Sequence, residues 1–99
     1  MPDIIRNEAK SRFEITVDGL VNVLDYRLSQ DEIAFTHAGV PKGLEGRGIA
    51  SSLAKAGLDC ARNEDLAVVP LCPFVVSYLR RHREYLDIVH PGFRDQVSR

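Results

Sequence analysis

The residues best suited to chemistry in this sequence are Cys72, His37, Tyr78 and the glycine-rich run Glu45-Gly46-Arg47-Gly48-Ile49-Ala50. The run immediately precedes a helical pattern. Glycines let a backbone turn sharply and approach a ligand closely. The first amides of a helix have no internal partners, and with the helix dipole they form an anion site. Gly46 to Ser51 could therefore cradle a pyrophosphate, or the run could be a plain strand-to-helix connection. A nucleoside triphosphate is disfavoured, because the Gly-Lys-Ser/Thr ending of a P-loop is absent. A dinucleotide fold would want Gly or Ala where Ser51 stands, and an acid about 20 residues on, where this chain has Leu66–Pro70.

Cys72 follows an apolar β-branched run and precedes Pro73. A helix opening there would favour a thiolate. The alternative is a small buried residue between strand and helix. His37 ends a strand pattern just before the glycine run, and an imidazole titrates near neutral pH, as a general base must. It shares alternation with Ile33 and Phe35, so it is expected on their face, as a base or as a histidine at the rim of the core. Tyr78, on the helix that Pro73 opens, reads as a packed aromatic with a satisfied hydroxyl. Cys60 falls on an apolar helical stripe and is expected in the core. His37, Cys72, His82 and His90 lack the paired short spacings of a zinc site, so no metal is expected.

The elements that must position these residues follow from periodicity. Phe13, Ile15 and Val17 alternate with Glu14 and Thr16, as in a half-buried strand. Asp18-Gly19 signals a tight hairpin into a second strand over Val21–Leu28. Ser29-Gln30-Asp31 turns into a third strand, Glu32–Thr36. Ile49, Leu53, Ala56 and Cys60 recur at helical spacing, and this helix should end near Arg62-Asn63. Ala67-Val68-Val69 reads as a buried strand. Pro73 suits the first position of a helix running to about Arg81, with Phe74, Tyr78 and Val75 inward. Tyr85–Val89 suggests another short element, and 91–99 a polar tail that could be loose. The order β-β-β-α-β-α predicts an α/β (α+β) fold: an antiparallel meander, then a βαβ-type crossover.

With 99 residues there is room for one domain and one cleft. A net charge of −1 gives no general attraction to nucleic acid or anionic membrane. The cluster Arg80, Arg81 and Arg83 is either a solvated helix face or an anion contact, and Arg47 is the cation expected nearest the phosphates. The segment Met1–Glu8 has no apolar run before a small-residue cleavage site, and no stretch reaches the roughly 18–20 apolar residues of a membrane span. A cytoplasmic protein with free thiols is expected.

Phe35-Thr36-His37, Gly46-Arg47-Gly48-Ile49, Val69-Pro70-Leu71-Cys72-Pro73-Phe74, and Arg81-His82 followed by Glu84-Tyr85 occur in that order behind the meander. Over Phe13–Val89 this set resembles the compact members of the GCN5-related N-acetyltransferase superfamily. The family's cofactor motif is Gln/Arg-x-x-Gly-x-Gly/Ala. Gly48-Ile49-Ala50 matches its end, and Glu45 departs from it where Gln or Arg is expected. The resemblance implies acetyl-CoA or coenzyme A as cofactor. Its pyrophosphate would lie on Gly46, Arg47, Gly48, Ile49, Ala50 and Ser51, its pantetheine along Ala38–Val40, and its thioester near Cys72 and His37. Tyr78 would protonate the leaving thiolate. The implied activity is acetyl transfer to an amine of a small molecule or a protein, directly or through Cys72. The alternative is a module that binds coenzyme A without catalysis.

Overall fold

The computed structural model describes residues 3–99. Strand β1 (Ile5–Asn7) leads through a 3-10 turn to β2 (Arg12–Val17), β3 (Leu20–Leu28) and β4 (Glu32–Gly39). A 3-10 turn at Lys42–Leu44 precedes helix α1 (Ile49–Asn63), then β5 (Ala67–Pro70) and helix α2 (Pro73–Arg81). Two further 3-10 segments, Arg83–Ile88 and Pro91–Phe93, lead into a short helix α3 (Arg94–Val97). The sheet order is β1-β2-β3-β4-β5. The first four strands are antiparallel, and β5 joins β4 in parallel across the α1 crossover. The meander and crossover are those expected from periodicity. Asp18 and Gly19 both take positive φ, 53° and 76°, as an Asp-Gly hairpin requires.

One face of the sheet carries the core. Phe13, Ile15, Leu24, Tyr26, Ile33, Phe35 and Val68 are buried there beneath α1 and α2. Helix α1 approaches closely at Gly57, where an added Cβ would lie 2.8 Å from the Phe35 ring.

Four expectations need correction. Strand β1 carries no period-two signal over its three residues, yet it pairs in register with β2. The buried stripe of α1 is Leu53, Ala54, Gly57, Leu58 and Ala61, so Cys60 sits at its flank, half-buried, rather than in the core. The Cys60 thiol donates instead to Glu64 Oε2 at 2.9 Å. The 91–99 segment is anchored, since Val97 is fully buried.

The fourth correction concerns His37. Asp25 pairs with His37, but Tyr26 pairs with Phe35, so Thr36 is an extra residue on β4. A bulge of this kind shifts the alternation by one. Ala38 then pairs with Leu24 on the core face, and His37 is exposed on the opposite face.

The pairing of β4 with β5 stops at Phe35 and Pro70. Pro70 has no N–H to extend the ladder, and the amides of Leu71 and Cys72 both donate to the Phe35 carbonyl, at 3.0 and 2.8 Å. Beyond that point β4 runs on to Gly39 paired with β3 alone. Its other edge opens onto a cleft.

Candidate functional site

The cleft has a volume of about 470 Å³, within the range of small-molecule sites. Ala38 and Val40 form one wall, on and just past the continuation of β4. Phe74 and Arg81 come from α2, and Leu44 and Ile49 supply apolar surface. The remaining wall is the glycine turn, through Glu45, Gly46, Gly48, Ala50 and Ser51.

The turn leaves backbone amides open at the start of α1. Gly46 and Gly48 take φ of 83° and 77°, a region other residues enter only with strain. Gly48 is the N-cap of α1, and no side chain caps the helix. The first intrahelical bond runs from the Ser52 amide to the Gly48 carbonyl. The amides of Ile49, Ala50 and Ser51 precede it and have no intrahelical acceptor. The first turn of α1 carries no acidic side chain, so only Glu45 on the rim opposes an anion.

Side-chain pairing sorts the arginines. Arg47 is turned away to Asp18 at the hairpin tip, at 3.0 Å, and does not line the cleft. Arg80 donates twice to the Gln96 carbonyl, at 3.1 and 2.9 Å, and Arg83 to that of Ser98 at 3.4 Å. Among the described residues Arg81 has no hydrogen-bond or ion-pair partner, and it is the arginine that lines the cleft. The seven-residue spacing from Phe74 to Arg81, two turns of one helix face, was the sequence signal that could have singled it out.

The expected catalytic residues do not gather in the cleft. Cys72 is buried, 3% exposed, within the core at the N-cap of α2. His37 lies on the outer side of the same β4 segment whose inner side forms the cleft wall. Tyr78 is buried one helical turn from Phe74, its ring stacked on His82 at 3.8 Å and 11°. Burial pushes its hydroxyl pKa up, so it stays protonated, and it has no hydrogen-bond partner among the described residues. Its neighbour Tyr85 differs. That hydroxyl donates to Asp59 at 2.6 Å, and burial together with this carboxylate raises its pKa further.

A β4–β5 pair that parts after Phe35, an uncapped glycine turn and a following helix define a five-stranded α/β domain open at that point. Residues 12–88 match the family described as GCN5-related N-acetyl-transferase, and the chain belongs to that family. The Protein NATD1 of Xenopus tropicalis is 32% identical over 76 residues, covering 75% of this chain and 69% of that one. The Protein NATD1 of Gallus gallus is 39% identical over 57 residues, 56% of this chain and 52% of that one. This chain thus matches about half of the chicken protein's length. A GCN5-like protein from Staphylococcus aureus, solved by NMR, superposes with a TM-score of 0.71 at 27% identity, over 89% of this chain and 87% of that one. Among the described residues, no helix is long and apolar enough to cross a membrane.

Proposed function

We propose that this chain transfers an acetyl group from acetyl-CoA to an amine. The carrying observation is the set of open amides at Ile49–Ser51, facing a cleft whose other wall is the unpaired edge of β4. The amides and Arg81 fit a phosphate-bearing ligand. The edge beside Ala38 and Val40 fits the amide groups of a pantetheine chain. Acetyl-CoA supplies an activated thioester.

The residues divide the work across β4. His37, on the outer face, takes the proton lost by the attacking amine. The amine nitrogen bonds to the acetyl carbon, the carbon–sulfur bond breaks, and Tyr78 gives its proton to the departing thiolate. Tyr78 suits this because its proton is not engaged elsewhere. Transfer runs directly or through Cys72; Cys72 and Tyr78 are buried alike, 3% and 4% exposed, so burial does not separate the two routes. The acceptor is an amine of a small molecule or a protein.

Calorimetric titration with coenzyme A tests the reading. Wild type should bind, and Gly48→Val, which forces a β-branched residue to positive φ and crowds the turn, should lose at least tenfold in affinity while circular dichroism shows it folded. Failure of wild type to bind would sink the proposal.

A further inference from the structure

The imidazole of His37 does not stand free above the sheet. A Cβ built on Gly39 would lie 3.2 Å from His37 Nε2, 3.8 Å from its Cδ2 and 3.2 Å from Val23 Cγ2. His37 and Gly39 are two apart on β4 and share its outer face, and Val23 is the register partner of Gly39. The ring therefore lies along the strand across the bare Cα of Gly39, with Val23 beside it. Gly39 is not among the residues with positive φ, so its backbone does not demand glycine. A side chain there would crowd the imidazole and the Val23 methyl alike, both 3.2 Å away.

We propose that Gly39 is a positioning residue, the seat that holds His37 Nε2 at the point where β4 parts from β5. This rests on the reading of His37 as the base. A base acts within hydrogen-bond reach of the group whose proton it takes, about 2.6–3.2 Å between heavy atoms or through one water, and small displacements of a reacting group are costly. A methyl group at 39 sits tighter against Nε2 than ordinary contact, and the free end of the imidazole is the part that can yield. The other groups facing the ring do not replace the seat. Asp25 is the cross-strand partner of His37, and its carboxylate has no hydrogen-bond partner among the described residues. Arg12, next along from Asp25 on β2, is engaged by Glu14 at 2.7 Å. Thr36 donates to the Asp25 carbonyl at 3.4 Å.

The test compares the full-length wild type with Gly39→Ala, His37→Ala and the double variant. Proton NMR should show contacts from the His37 ring to the Gly39 α-protons and the Val23 methyls. In Gly39→Ala the ring-to-Val23 contacts should weaken and the ring resonances should shift. Absence of these contacts in wild type, or an unmoved ring in Gly39→Ala, overturns the proposal. With acetyl-CoA and poly-L-lysine as acceptor, Gly39→Ala should lower kcat at least tenfold and leave coenzyme A affinity within twofold. The double variant should be no slower than His37→Ala. If His37→Ala is impaired and Gly39→Ala is not, or if their losses multiply, the seat is refuted while acetyl transfer stands. If His37→Ala turns over like wild type, the base assignment falls and the positioning role falls with it. If wild type does not turn over poly-L-lysine, the NMR contacts alone decide.

Discussion

Arg81 and Glu45 set the charge of the cleft, and both act at the scale of single side chains. Arg81 is the cation at the cleft with no competing partner among the described residues, so its removal should be felt directly. A hydrogen bond to a charged group contributes about 1.5–3 kcal/mol, so Arg81→Ala should weaken coenzyme A binding by roughly tenfold to a hundredfold. Arg47→Ala and Arg80→Ala should leave it within about threefold, because Asp18 and the Gln96 carbonyl already hold those groups. Calorimetry on the three variants checks the ranking. Glu45 places a carboxylate on the rim of an anion turn. Glu45→Gln should tighten binding severalfold, with the gain shrinking as salt rises, because exposed charges are screened. The positions of the glycine turn were legible in the sequence, since positive φ and an uncapped helix start leave a compositional trace. The choice among arginines was not. It depends on Asp18, Gln96 and Ser98, which lie far away in the chain.

At the scale of elements, the bulge and the α1 packing decide what sequence periodicity could not. A single extra residue at Thr36 reverses the face of His37, and nothing in the alternation of Ile33 and Phe35 announces it. The buried face of α1 runs through Leu53, Ala54, Gly57, Leu58 and Ala61 rather than Ala56 and Cys60, with Gly57 close against Phe35. Gly57→Ala would add helix propensity of up to about 1 kcal/mol. Overpacking against the ring costs about 1–3 kcal/mol, so net destabilisation is expected in denaturant unfolding.

One helical turn apart at the end of α1, Cys60 lies beside Glu64, which also pairs with Arg6 of β1. Burial first, and the Glu64 carboxylate second, push the Cys60 thiol up to about 11 from an ordinary 9.0. The folded chain thus keeps a proton that the unfolded chain loses. Stability from this site is intact below about pH 9 and declines as pH rises toward 11. Glu64→Gln should lower the thiol pKa, read as thiolate absorbance across a pH titration and as faster alkylation of Cys60. An unchanged titration would show that Glu64 does not bear on the thiol.

For the molecule as a whole, the meander, the crossover and the order of elements were readable because alternation, an Asp-Gly turn and Pro73 are local signals. The terminal segment was not. Its polar composition hides Val97, which reaches the core while Arg80 and Arg83 bind the carbonyls behind it. Truncation after Phe93 removes that plug. Burying a valine contributes about 1.5–3 kcal/mol, so the truncated chain should unfold at clearly lower denaturant concentration. A midpoint equal to that of the full chain would show that the segment contributes nothing.

The central claim is that the glycine turn and the free edge of β4 hold coenzyme A. An amide-resolved NMR titration of the chain with acetyl-CoA tests it most directly. Gly46, Gly48, Ile49, Ala50 and Ser51 should shift most, accompanied by Ala38, Val40 and the Arg81 side chain, while β1 and α3 stay in place. Shifts confined to other surfaces, or none at saturating ligand, would contradict the account.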